Sequence, residues 1–202
     1  MKLYFGKLSP FVRKVMVLAH EKNIVLQLEL VPVALTPIEP DRNLMRANPL
    51  GKIPTLVLDD GTILMDSPVV CEYLDVSSGG TPLVPREGGE RWRALSLTAL
   101  ADGMLDAAMA VRIEGLRSAG TQWSQWVSAQ QLKLDNALDA LSSGAFMPSQ
   151  VGITLGEIAV GCALGWLDYR MPGFDWRNGR PSLSDWYAAF SKRPSMLATA
   201  PG

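Results

Sequence analysis

The sequence predicts an α/β domain over residues 1–78 and an all-α domain over residues 89–202, with a linker at residues 79–88 between them. Three observations predict this fold class. Strand-like and helix-like segments alternate before the linker, whereas apolar residues after it recur only at helical spacing. The linker is rich in glycine and proline, which interrupt regular structure. A chain of 202 residues is long enough for two small domains.

The first domain begins with a strand and a helix. Residues 2–6 favour a strand, and Ser9 followed by Pro10 is typical of a helix start, because serine caps helices and proline tolerates the first turn. The apolar periodicity that follows puts Arg13 and Lys14 on the polar face of this helix. A strand-to-helix junction with a serine at the helix start is therefore predicted.

The rest of the first domain is predicted to complete the order β-α-β-(α)-β-β-α. Leucine and β-branched residues predict a second strand over residues 24–33, and a loop follows at residues 34–40. The remaining elements are a short helix at 41–47, strands at 54–58 and 62–65 joined by a hairpin turn, and a helix at 66–76. A parallel strand pair joined to a hairpin predicts a mixed sheet with helices on its faces.

The second domain is predicted to contain only helices, at residues 90–118, 123–141, 154–169 and 183–191. The third of these is apolar almost all round, so it is expected to lie at the centre of the domain. Thr154 and Glu157 have the spacing of a capping box at its start. Gly161 and Gly165 in this helix favour close packing against neighbouring helices.

Composition excludes several classes of function. A formal net charge of −1 without any basic run argues against nucleic acid and anionic membranes as partners. No uninterrupted apolar run reaches the roughly 18 residues of a membrane helix, so no membrane association is expected. Cys71 and Cys162 lie in apolar helical patterns, which favours structural thiols over a disulfide. The single histidine, His20, leaves most metal sites without ligands, so no metal is predicted.

Three local features are candidates for a binding site. At Ser9, a hydroxyl beside the positive end of a helix can stabilise an anion such as a thiolate, although a simple helix cap explains the same residue. Residues 48–54 read Asn-Pro-Leu-Gly-Lys-Ile-Pro and run directly into a strand. If the bond before Pro54 is cis, Ile53 presents its backbone N–H and C=O to an extended peptide.

The third feature is Asp66 followed by Ser67 at the start of a predicted helix. The Ser67 hydroxyl and the helix-start N–H groups suit a carboxylate, while the Asp66 carboxylate suits an amino group. Together they fit the zwitterionic end of an α-amino acid. By itself, this pair is better explained as an ordinary N-cap.

The three features, in this order and on these elements, resemble the soluble glutathione S-transferases, and the resemblance covers nearly the whole chain. The pattern Asn-Pro-x-Gly-Lys-Ile-Pro, followed by Asp-Ser-Pro-x-Val-x-x-Tyr-Leu, is more specific than any of its parts. The Ser-Pro-Phe-Val-Arg-Lys start looks most like bacterial serine-type members of the YibF-like kind. The resemblance implies a thioredoxin-like N-terminal domain followed by a C-terminal helical bundle domain, usually in a homodimer.

The resemblance also implies roles for the site residues. Ser9 stands where the family keeps the residue that activates the glutathione thiol; Tyr4 in the first strand is the alternative. Ile53, with Pro54 cis, would hold the cysteinyl unit of glutathione through its backbone. Asp66 and Ser67 would hold the γ-glutamyl end, and Lys52 would face the glycyl carboxylate or remain a solvated loop charge. The proposed wall for a small electrophile consists of Phe11, Met104, Ala108 and Arg112, although core packing explains Met104 and Ala108 slightly better.

The function implied by the resemblance is glutathione transfer, in which the cosubstrate thiolate attacks an electrophilic carbon or a peroxide oxygen. Two alternatives stay open at this point: a glutathione-dependent isomerase, and a non-enzymatic glutathione-binding or partner-binding module of the same fold. Thiol–disulfide exchange is disfavoured because serine at position 9 cannot form a mixed disulfide.

Overall fold

The computed structural model describes residues 1–34, 36, 38–149 and 152–201; Leu35 and Pro37 of the predicted loop at residues 34–40 lie outside this set. Its strands are β1 (Lys2–Phe5), β2 (Glu29–Pro32), β3 (Thr55–Val57) and β4 (Ile63–Met65). They form one sheet in the order β2-β1-β3-β4. β1 pairs parallel with β2 and antiparallel with β3, which pairs antiparallel with β4. The predicted mixed sheet is therefore present.

The second predicted strand is wrong in its first half. Residues Val25–Gln27 form a 3-10 turn, and β2 begins only at Glu29, where its N–H donates to the Met1 carbonyl. Ile24 and Leu28 are buried while Leu26 between them is fully exposed. A spacing of four between buried residues fits a helical turn rather than a strand, which would bury every second residue.

Three helices belong to the first unit, and all lie near their predicted positions. They are α1 (Pro10–Glu21), α2 (Leu44–Ala47) and α3 (Ser67–Ser77). α1 contacts α3 on one side and the later helices α6 (Leu155–Arg170) and α8 (Pro194–Ala198) on the other. Since α1 is covered on both sides, the predicted polar face is wrong: Arg13 and Lys14 are buried.

The described part of the second unit contains helices and no strand. Its helices are α4 (Gly88–Glu114), α5 (Ser124–Ser142), α6, α7 (Pro181–Phe190) and α8, of which α8 was not predicted. α6 is buried along most of its length, and Thr154 with Glu157 forms the expected capping box at its start. Gly161 and Gly165 face Phe190 and Arg13 respectively, so close approach explains both glycines.

α4 is also long and apolar enough, by length and composition alone, to cross a membrane. Its inner face packs against α5 and α6 in the core, and core helices of globular proteins often meet the same criterion. The segment between α3 and α4, residues 78–87, has no helix or strand. We propose that the boundary between the two units lies in this segment.

That segment is tied back to the first unit by a buried carboxylate. Asp75 accepts hydrogen bonds from the N–H groups of Leu83 and Val84 and forms an ion pair of 2.9 Å with Lys22. Lys22 also donates to the Thr81 carbonyl at 3.0 Å. One continuous hydrophobic core extends through both units, so α1 and its N-terminus are held rigidly between them.

Candidate active site

Ser9 lies at the junction of β1 and α1, as the sequence predicts. Its backbone is extended, and its hydroxyl oxygen accepts a hydrogen bond from the Val12 N–H at 3.3 Å. The Ser9 N–H donates to the Gly6 carbonyl at 3.0 Å, which fixes the turn before the helix. Because the capping bond uses the oxygen as acceptor, the hydroxyl hydrogen is left to donate elsewhere. The half-buried Ser9 is thus both a helix cap and a donor at the positive end of α1.

The loop before β3 approaches this junction directly. The Ile53–Pro54 bond is cis, as the sequence suggests. A Cβ atom added to Gly6 would lie 2.5 Å from the Cδ1 atom of Ile53, so the two loops touch. Within the described residues, neither the N–H nor the C=O of Ile53 has a hydrogen-bond partner. A free donor and acceptor on one residue can pair with an extended peptide.

Asn48 holds this loop in shape, a role that sequence reasoning missed. Its side-chain amide donates to the Lys52 carbonyl and to the Thr55 hydroxyl, both at 3.0 Å. Its amide oxygen accepts from the Leu50 N–H at 3.0 Å. Asn48 is 2% exposed. An asparagine at the start of an Asn-Pro-x-Gly turn is the sequence signal for a side chain that holds the loop through hydrogen bonds. Lys52 itself is exposed at the loop surface.

Asp66 and Ser67 begin α3. Asp66 has a left-handed φ of 68°, and its Oδ1 atom accepts from the Ser67 N–H at 2.7 Å. Ser67 is fully buried, and its hydroxyl has no hydrogen-bond partner within the described residues. A buried polar group without a partner is costly, and a non-glycine residue at positive φ is uncommon. Such features concentrate at functional sites.

An ion pair between the two units borders the site and was also missed. The buried Lys14 ammonium contacts both Asp102 carboxylate oxygens at 2.7 Å. It also lies 5.8 Å from the centre of the Phe11 ring. Burial raises the pKa of Asp102; Lys14 opposes this, and the charges of Asp66 and Asp106 add to it. The apolar pattern of α1 puts Lys14 on the polar face, so the sequence carries no signal for this ion pair.

The predicted electrophile wall needs correction. Met104 and Ala108 are 2% and 0% exposed, so they belong to the core and offer no surface to a ligand. The apolar repeat that suggested them is the face of α4 that packs on α5 and α6. Phe11 and Arg112 are half-buried. The α4 face that carries Asp102 continues one and two turns later through Asp106 and Met109, both of which retain exposed surface.

The two cysteines take no part in this site. Burial raises the pKa of Cys71 to about 12 and that of Cys162 to about 11, so both stay protonated. The described residues contain no group of three His, Cys, Asp or Glu side chains suited to a metal ion. Tyr4 is half-buried in β1, and its backbone is opposite Val31 and Thr55 in the sheet.

Comparison with known protein families decides the family. Residues 8–77 match the model of the glutathione S-transferase N-terminal domain, and residues 124–189 match that of the C-terminal domain. Together these matches span more than half of the chain. The chain belongs to the glutathione S-transferase family. The expected fold of this family, a thioredoxin-like domain followed by a helical bundle, is confirmed.

Relatives from bacteria support this assignment over the whole length. The uncharacterized GST-like protein YibF of Escherichia coli is 33% identical over 100% of this chain and 98% of its own. A glutathione transferase family member from Pseudomonas fluorescens, solved with bound glutathione, is 46% identical with a TM-score of 0.96, covering 100% and 98% of the two chains. A glutathione S-transferase from Methylobacillus flagellatus, solved with GSH bound, is 36% identical with a TM-score of 0.86, covering 100% and 99%.

Proposed function

We propose that this protein is an enzyme that binds glutathione and activates its thiol for attack on a small electrophile or a peroxide. The observation that carries the proposal is the buried Ser67 hydroxyl without a partner at the start of α3. A ligand carboxylate there would accept from this hydroxyl and from the helix N-terminus. Similar solved structures hold glutathione, whose γ-glutamyl end carries such a carboxylate.

The remaining groups match the rest of the tripeptide. The γ-glutamyl ammonium would lie near the exposed Asp66 carboxylate. The unpaired N–H and C=O of Ile53 would pair with the cysteinyl unit as an added strand. Lys52 would face the glycyl carboxylate. This placement puts the sulfur toward Gly6 and Ser9, since Ile53 contacts the loop that carries them.

The chemistry assigned to Ser9 is stabilisation of the thiolate. Its hydroxyl would donate to the sulfur, and the positive end of α1 would favour the negative charge. A free thiol has a pKa of about 8.5, so lowering that pKa increases the nucleophile present at neutral pH. The thiol proton goes to solvent. The sulfur then forms a bond to the electrophile, and the leaving group departs with its electron pair.

The electrophile would bind beside Phe11 and the exposed α4 face at Asp106, Met109 and Arg112. An apolar wall with flanking charges suits a small electrophile and is consistent with a role in detoxification. We also propose a cytoplasmic location. These assignments define the pocket without naming one substrate.

We further propose a homodimer. Val69 and Val76 of α3 are 49% and 53% exposed, and Trp92 of α4 is 67% exposed. The ion pair of 2.7 Å between Arg91 and Glu72 joins the two helices beside them. An exposed apolar face of this kind typically marks an interface. Light scattering at micromolar concentration should give twice the mass of the 21.9 kDa chain, and a monomer would contradict the assignment.

Turnover of glutathione with a model aromatic halide tests the enzymatic proposal. Ser9→Ala should lower kcat by about 10²-fold or less, as expected for loss of one donor to a developing charge, while leaving the glutathione Kd nearly unchanged. Tyr4→Phe is the matched control, because Tyr4 is the alternative activator. A rate lowered by Tyr4→Phe and not by Ser9→Ala would transfer the role to Tyr4. Glutathione binding without turnover of any electrophile would favour the non-enzymatic module.

A further inference from the structure

A second pocket lies apart from the proposed glutathione site. It has a volume of about 200 Å³ and is enclosed by β1, β2, α1 and the segment at the end of α8. None of Ser9, Ile53, Asp66 and Ser67 lines it. Most of its wall is apolar, formed by Phe5, Val12, Met16, Leu30, Ala198 and Ala200. The pocket is therefore available to a ligand that glutathione does not displace.

The charged side chains of the wall, Arg13 and Lys7, are both basic. Arg13, His20 and Lys7 line the pocket, and none of its described lining residues is acidic. Glu21 follows His20 in the chain, but its carboxylate accepts hydrogen bonds from Arg193 and Ser195. Such a wall attracts a negative charge.

Arg13 is the decisive group. Arg13 is 8% exposed, and within the described residues its hydrogen-bond partners are neutral: the Met196 carbonyl at 3.1 Å and the Thr199 hydroxyl at 3.4 Å. Among the described residues, no ion pair joins Arg13 to a carboxylate. A buried guanidinium normally has an anionic partner, because burying an uncompensated charge is costly. The partner that this charge lacks can be supplied by a ligand in the pocket.

We propose that this pocket binds a small monocarboxylate with an apolar body. A cavity of about 150 Å³ is known to take benzene, so about 200 Å³ takes an aromatic ring with a carboxylate. The ring would lie against Phe5, Val12 and Met16, and the carboxylate would accept from Arg13 in a charge-assisted bond. The site is additional to the glutathione site and does not depend on the proposed transferase activity.

The single histidine gives a direct readout of this pocket. In tag-free protein, the proton NMR signals of the imidazole arise from His20 alone. Sodium benzoate should shift them saturably, and benzamide, which has the same shape without the charge, should bind at least tenfold more weakly. The benzoate response should persist in saturating glutathione. Equal affinity for the two probes, competition by glutathione, or no saturable shift with benzoate would each overturn the proposal.

A pocket-filling variant gives an independent check. Ala198 is exposed at the rim, so Ala198→Trp should block the pocket without disturbing the core and should abolish the benzoate shift. Ala188→Trp, at an exposed position of α7, is the matched control and should retain it. Benzoate binding that survives Ala198→Trp unchanged would place the ligand elsewhere and refute the assignment. Both variants should keep the circular dichroism spectrum of the parent protein.

Discussion

Replacing Ser67 by alanine should strengthen the folded protein and weaken glutathione binding at the same time. The hydroxyl is fully buried, and no partner within the described residues compensates its loss of hydration. An unsatisfied buried polar group costs roughly 1–3 kcal/mol. Ser67→Ala removes this cost and leaves a residue that favours helices. We therefore expect the unliganded protein to gain about 1 kcal/mol in its free energy of unfolding.

Binding should change in the opposite direction. In the proposed complex the Ser67 hydroxyl donates to the γ-glutamyl carboxylate, and a hydrogen bond to a charged group contributes roughly 1.5–3 kcal/mol. Because about 1.4 kcal/mol corresponds to a factor of ten, the glutathione Kd should rise by roughly 10- to 150-fold. Isothermal titration calorimetry measures the Kd, and urea denaturation without ligand measures the stability.

Ser77→Ala is the matched control for this experiment. Ser77 lies at the other end of α3, is exposed, and bonds only to the Leu74 carbonyl within its own helix. It should change neither the Kd nor the stability appreciably. An unchanged Kd in Ser67→Ala would remove the observation on which the glutathione site rests. A loss of stability without ligand would show instead that Ser67 has a structural role.

Two further predictions concern the packing around the site and the acid stability of the fold. Gly6→Ala places a methyl group against the Ile53 side chain. The Kd for glutathione should therefore rise several-fold, and the free energy of unfolding should fall by about 1 kcal/mol. Gly89→Ala, which places its methyl group in open space, is the control and should leave the Kd unchanged. The hydrogen bond from Arg193 is the main cause that lowers the pKa of Glu21. The stabilisation from this carboxylate is fully present above its ordinary pKa of about 4.3 and is lost as the pH falls through its lowered pKa in the folded protein. The difference in urea midpoint between the parent protein and Glu21→Gln should therefore be smaller at pH 3.5 than at pH 7; an equal difference at both would contradict the assignment.

Local signals predicted the elements that position the site. Ser9-Pro10 and the capping box at Thr154 each depend on residues within one turn, so the sequence alone was enough to place both helix starts. The cis bond before Pro54 was likewise suggested by a short, specific sequence pattern over residues 48–54. The strand predicted over residues 24–33 was wrong in its first half. The burial of side chains there, and not their β-propensity, determined the local structure.

Features that depend on contacts between the two units were beyond the sequence. Lys14 was predicted to lie on the polar face of α1. The pattern of that helix does not indicate the carboxylate of Asp102, which lies 88 residues away along the chain. Met104 and Ala108 shared a helical face with the right spacing, but spacing does not tell a core face from a ligand-facing one. Both errors arise where α4 packs against other helices of the fold.

The pKa of the thiol of bound glutathione tests the central claim most directly. Ultraviolet absorbance of the thiolate, followed over pH with saturating glutathione, gives this pKa in the parent protein and in Ser9→Ala. We predict a bound pKa clearly below the value of about 8.5 for a free thiol, returning most of the way to it in Ser9→Ala. A bound thiol that titrates like free glutathione, or one that is equally acidic without the Ser9 hydroxyl, would contradict the account.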